Sequence, residues 1–184
     1  MSGIVLAGGL GRRMGGVDKG LQLLHGRPMI AHVLARLARQ VDDIVINANQ
    51  NLERYAAFGH RVVPDEIGGF AGPLAGLHAG LGAVSRPLAV TVPCDSPFLP
   101  QDLVARLHAE LDGNDLAVAK TGEQPHPVFA LVQCSVAENL RAFLAAGGRK
   151  IDAWYASLKV VEVRFDDEAD AFRNINTLEE LGRA

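Results

Sequence analysis

Short, almost uninterrupted apolar runs alternate along this chain with stretches whose apolar residues recur every three or four positions. Leu88–Val92, apolar except for Thr91, is the clearest run. Gly3–Ala7, Ile44–Ala48, Arg61–Val63, Leu116–Ala119, Val128–Val132 and Val160–Val163 read likewise as short strands. Between them, Ile30, Val33, Leu34, Leu37 and Val41 mark a helix that Pro28 can start. Leu52–Phe58, Gly72–Val84, Asp102–Leu111, Val136–Ala145 and Ile151–Ala156 are further helical stretches, and Thr177 with Glu180 has the capping-box pattern. Strands apolar on both faces need helices on both sides. The pattern therefore predicts an α/β fold, a three-layer α/β/α Rossmann-like arrangement with a mostly parallel central sheet.

The 184 residues are 48% hydrophobic and 21% charged, which suits one core and a single domain over 1–184. A net charge of −3 excludes a nucleic-acid coat or a polybasic membrane binder, so anionic substrates must be met by a few placed cations or a metal. No apolar stretch approaches the roughly 20 residues of a membrane span. The start of the chain has no basic segment, and Ile4–Ala7 is too short for a signal-peptide core. Cys94 and Cys134 have no metal-type spacing. The expectation is a cytoplasmic protein with two reduced thiols.

In such sheets ligands bind beyond the carboxyl ends of the strands. Chemistry is therefore expected at Gly8–Lys19, Asn47–Asn49, Pro64–Asp65 and Pro93–Ser96. Leu6–Lys19 is the richest segment. Its five glycines let backbone N–H groups approach an anion, and Arg12, Arg13 and Lys19 add charge. It is neither a Walker loop, lacking Gly-Lys-Ser/Thr, nor the dinucleotide pattern, which needs glycine where Met14 stands. It reads as a phosphate cradle of another kind.

Asp95 follows the Leu88–Val92 strand, where a carboxylate suits Mg²⁺, an ion that needs only one or two protein carboxylates beside phosphate oxygens. Turn capping is the plainer alternative. Cys94 reads as a small buried hydrophobe. Asn47, Asn49 and Asp65 end strands. Asparagine both donates and accepts, and a carboxylate can take the two neighbouring N–H groups of a guanine, although loop-stabilising hydrogen bonds would explain the asparagines equally. In the last third, Arg149 and Lys150 could meet a second phosphate-bearing substrate, and Asn174 and Asn176 would face the same way on an extended segment. His126 reads as structural or peripheral rather than catalytic, and Asp166–Asp170 as a solvated acidic loop.

Leu6-Ala7-Gly8-Gly9, Arg13-Met14-Gly15-Gly16 and Asp18-Lys19 resemble the signature loop of nucleoside-triphosphate transferases. With Asn47-Ala48-Asn49, Gly72-Pro73-Leu74-Ala75-Gly76, Pro93-Cys94-Asp95-Ser96-Pro97 and Asn174-Ile175-Asn176-Thr177, the likeness narrows to the molybdenum cofactor guanylyltransferases, the MobA family. The resemblance implies Mg²⁺-dependent transfer of GMP from GTP to the terminal phosphate of molybdopterin, already carrying molybdenum, with release of pyrophosphate. It implies GTP contacts at Leu6, Ala7, Gly8, Lys19, Asn47, Asp65 and Asp95, with Mg²⁺ on Asp95. It assigns catalysis to Arg13, Lys19 and Asp95, and the molybdopterin side to Arg149, Asn174 and Asn176. Other molybdenum cofactor biosynthesis proteins or molybdoenzyme chaperones are candidate partners. A CTP-using or sugar-phosphate relative, or a non-catalytic binding module, stays open.

Overall fold

The computed structural model describes residues 1–9, 17–67, 72–175 and 180. Arg12, Arg13, Asn176 and Thr177 lie outside them. In chain order the strands are β1 (Ser2–Leu6), β2 (Leu23–Leu24), β3 (Arg27–Pro28), β4 (Asp43–Asn47), β5 (Arg61–Val63), β6 (Leu88–Pro93), β7 (Leu116–Thr121), β8 (Gln124–Gln133) and β9 (Val160–Arg164). The helices are α1 (Met29–Leu37), α2 (Leu52–Ala56), α3 (Pro73–Ala83), α4 (Leu103–Glu110), α5 (Ala137–Ala145) and α6 (Ile151–Tyr155).

Seven strands form one sheet in the order β5-β4-β1-β6-β8-β7-β9. Only β8 runs against its neighbours, β6 and β7. Alternate residues of β1 feed two apolar layers. Val5 packs with Ile30, Val33 and Leu37 of α1 and Leu103 and Leu107 of α4. Ile4 packs with Leu74, Leu77 and Leu81 of α3, Leu140 and Leu144 of α5, and Trp154 of α6. Each fully buried Leu or Ile contributes about 1.5–3 kcal/mol, so these stripes hold helices on both faces. The three-layer, mostly parallel architecture expected from the sequence is the one found.

The differences from expectation have local causes. β8 starts at Gln124, four residues before the apolar run. Pro125 and Pro127 and a register shift opposite Val118/Ala119 disguise that half of the strand. The small β2–β3 hairpin turns on His25 and Gly26, with φ of 49° and 76°. Both residues have the positive φ of a tight hairpin turn, but His-Gly is not the usual Asn-Gly signal. Pro28 therefore belongs to β3 and caps α1, which begins at Met29. Asp166–Phe172 is a 3₁₀ turn, and its acidic residues are largely exposed, as expected of a solvated segment. Asp167 holds Arg106 at 2.9 and 3.0 Å, and Asp166 accepts from the Gly122 N–H at 2.6 Å. Among the described residues no group of three or more His, Cys, Asp or Glu could hold a metal ion, and no helix is long and apolar enough to cross a membrane.

Candidate active site

From β1 the sheet grows through β4 and β5 on one side and through β6 on the other. The crevice at such a reversal is the expected ligand position in an open α/β sheet. Register puts three strand ends side by side there, since Leu6 pairs with Asn47 and with Pro93. The chain beyond β1 stays tied in. The Ala7 N–H donates to the Asn47 carbonyl at 2.8 Å, and the Cys94 N–H donates to the Leu6 carbonyl at 3.1 Å.

A cavity of about 280 Å³ opens at these ends, lined by Leu6, Gly8, Asn47, Asn49, Asp65 and Pro93 among others. Asn47 is 2% exposed. Its Nδ2 donates to Asp65 Oδ1 at 2.8 Å and to the Val63 carbonyl at 3.2 Å. Asn49 Nδ2 donates to Asp65 Oδ2 at 2.8 Å and to the Gly8 carbonyl at 3.3 Å, while Asn49 Oδ1 accepts the Asp65 N–H at 2.8 Å. The asparagines are thus both loop-stabilising and part of the cavity wall. They fix both carboxylate oxygens of Asp65, and each oxygen keeps further acceptor capacity.

Gly72 and Gly76 serve different ends. Gly72 lines the cavity and sits at φ 66°, ψ −154°, a conformation open to glycine, just ahead of α3. At Gly76 a Cβ would lie 2.2 Å from Asn47 Oδ1, so its lack of a side chain gives Asn47 room.

Asp95 and Lys19 form the second half of the site. Lys19 Nζ lies 3.3 Å from Asp95 Oδ2. Asp95 is only 9% exposed, and burial pushes its carboxyl above the usual range, with the Lys19 charge opposing the shift. Burial also pushes the neighbouring Cys94 thiol well up, with Asp95 and Asp18 adding to it. Cys94 is therefore a neutral packing group and no thiolate nucleophile. Ahead of Lys19, both oxygens of Asp18 are held: Oδ1 accepts the Tyr55 hydroxyl and Oδ2 accepts from Asn51 Nδ2 at 2.9 Å.

The C-terminal segment returns to the same place. The Ile175 N–H donates to the Asp95 carbonyl at 2.9 Å, and Ser96 Oγ donates to Asn174 Oδ1 at 2.5 Å. Leu6, Ala7, Gly8, Lys19, Asn47, Asp65, Asp95 and Asn174 thus gather around one strand-end region. Arg149 does not line the cavity. Its Nη1 donates to the carbonyls of Leu144 at 3.0 Å and Gly148 at 2.7 Å, which ends α5. His126 is structural as expected, stacked on Phe172 at 4.6 Å with Nε2 2.7 Å from Thr121 Oγ1. Asp18, Asn51, Tyr55 and Ser96 were not singled out from the sequence; only Asp18 and Ser96 lie in conspicuous motifs.

A family model described as the MobA-like NTP transferase domain matches residues 3–160. The molybdenum cofactor guanylyltransferase of Burkholderia vietnamiensis is 56% identical, over 98% of this chain and 93% of its own length. That of Shewanella putrefaciens is 52% identical, over 96% and 92%. The crystal structure of molybdopterin-guanine dinucleotide biosynthesis protein A from Archaeoglobus fulgidus superposes with a TM-score of 0.81 at 28% identity, covering 100% of this chain and 96% of that one. With a strand-end cavity and a part-buried lysine–aspartate pair where the transferase loop meets the sheet, this chain belongs to the MobA-like NTP transferase family.

Proposed function

We propose that this chain transfers GMP from GTP to the terminal phosphate of molybdenum-loaded molybdopterin, giving molybdopterin guanine dinucleotide and pyrophosphate. The observation that carries the reading is that neighbouring strand ends present two groups: Asp65, braced by Asn47 and Asn49 in the cavity wall, and the Lys19–Asp95 pair just beyond β6. Guanylyltransferases at 52–56% identity over nearly the whole chain support the choice of base and acceptor.

A terminal phosphate oxygen of molybdopterin attacks the α-phosphorus of GTP, and the bond to the pyrophosphate oxygen breaks. The nucleophile is already an anion, so the protein's task is positioning and charge stabilisation rather than proton removal. Asp65 accepts the guanine N1 and N2 hydrogens on its remaining lone pairs, in a carboxylate prevented from rotating by two amides. Lys19 supplies positive charge to the departing pyrophosphate, with the glycine-loop N–H groups and Arg13 assigned the same task. Asn174, held by Ser96, is assigned to the acceptor side together with Asn176. Arg149 is assigned to the molybdopterin side by resemblance, with Nη1 engaged at the end of α5.

Asp95 is the residue that would hold Mg²⁺. The donor set fits: one hard, buried carboxylate beside the Lys19 ammonium, with substrate phosphates to complete the shell. Such an ion would supply Lewis-acid charge neutralisation to the substrate phosphates.

The test is mass analysis of the product formed from GTP, Mg²⁺ and molybdenum-loaded molybdopterin. The guanine dinucleotide and pyrophosphate should appear in equal amounts, and chelation should stop their formation. A preference for CTP, or tight GTP binding without product, would overturn the reading.

A further inference from the structure

Tyr55 is completely buried, although α2 has only five residues and no strong apolar stripe. A phenylalanine would fill the same space, so the hydroxyl needs its own explanation. It donates to Oδ1 of Asp18. Burial pushes the phenol well above its ordinary value, which keeps it a donor. Asn51, at φ 52° where the chain enters α2, donates from the exposed side to Asp18 Oδ2 at 2.9 Å. The carbonyl of Asp18 accepts from the Leu21 N–H at 3.3 Å and from Gln22 Nε2 at 3.1 Å. On the far side of Lys19, a Cβ at Gly20 would stand 2.7 Å from the Tyr55 hydroxyl and 3.1 Å from Cys94 Sγ. Lys19 therefore leaves a backbone anchored on both sides, and its flexible stem starts from a defined point.

We propose that Tyr55 and Asn51 are positioning residues that act through Asp18 to hold Lys19 where it meets the leaving pyrophosphate. The proposal rests on the assignment of Lys19 as a catalytic charge. The clamp keeps the start of the lysine stem fixed as the substrate's phosphates arrive, so the ammonium need not be reoriented in each turnover. Neither residue touches substrate in this scheme. Their contribution exists only while Lys19 is there to be positioned.

The experiment is a double-mutant cycle. Tyr55→Phe and Asn51→Gly, the latter keeping the left-handed backbone, are each made with Lys19 intact and with Lys19→Ala. GMP transfer gives kcat and KM for GTP, and thermal unfolding is followed alongside. With Lys19 present each variant should lose about tenfold in kcat with KM for GTP little changed, as expected for lost positioning. In the Lys19→Ala background neither should lower kcat further. Wild-type kcat in both Tyr55→Phe and Asn51→Gly would overturn the proposal. Equal losses in both backgrounds would overturn it as well, since they would mark a merely structural role. If Tyr55→Phe fails to fold, the Asn51→Gly pair decides alone. A Lys19→Ala protein with normal kcat would instead overturn the assignment of Lys19, and the proposal with it.

Discussion

Lys19 Nζ and Asp95 Oδ2 lie 3.3 Å apart although 76 residues separate them in the chain. The pair sits mostly inside the protein, and Asp95 is harder to ionise there than in the unfolded chain. Between its ordinary value of 3.8 and its raised native value, the native state binds more protons, so this group's contribution to stability falls as pH rises through that window. Asp95→Asn should therefore cost on the order of 10²–10³ in kcat while the protein stays folded. Thermal melts should show the wild type gaining on the variant as pH drops from neutral to about 4. A variant with near-normal transfer would sink the metal assignment.

Asp65 predicts base selectivity. Hydrogen bonds to a charged group contribute about 1.5–3 kcal/mol each, so Asp65→Ala should reduce kcat/KM for GTP by at least 10-fold, roughly. The discrimination between GTP and CTP, measured in competition, should shrink with it. The same GTP/CTP ratio as wild type would remove Asp65 from base recognition.

Two of the three glycines of α3, Gly76 and Gly82, separate packing from propensity. Gly76→Ala drives a Cβ against Asn47 Oδ1 and should cost about 1–3 kcal/mol as overpacking, with a higher KM for GTP as the Asn47–Asp65 bond is displaced. Gly82 is exposed, and a Cβ there meets nothing within 4 Å. Gly82→Ala should stabilise the protein by about 0.5–1 kcal/mol, readable as a higher denaturant midpoint.

Arg149 gives a sharper contrast. Arg149→Ala should lower the melting temperature through a loss of about 0.5–1.5 kcal/mol from its hydrogen bonds at the end of α5 and, as the proposed acceptor-side residue, raise KM for molybdopterin. An unchanged KM would remove Arg149 from the acceptor site.

Strand-end residues were legible in the sequence because periodicity alone marks where a buried strand stops. That rule located Asn47, Asp65 and Asp95, and resemblance supplied their roles. What escaped it was tertiary. Tyr55 reaches Asp18 across 37 residues from a five-residue helix, and no local pattern announces such a partner. The prolines of β8 and the His25–Gly26 turn escaped for the opposite reason: their local chemistry argues against the structure that the neighbouring sheet and core impose. Arg149 carries a charge that suggests a phosphate, and its Nη1 bonds at the end of α5 are a further contact that the sequence does not announce.

The bonds from Ile175 to Asp95 and from Ser96 to Asn174 carry a consequence for biosynthesis. A chain emerging from the ribosome exposes Asp95 and Ser96 long before the partners that close over them, which arrive 78 residues later in the case of Asn174. Domains generally fold as units. The bonds from Ile175 to Asp95 and from Ser96 to Asn174 therefore close only when the last described strand and the segment after it have been made. A polypeptide that stops short of that segment lacks this wall beside Asp95.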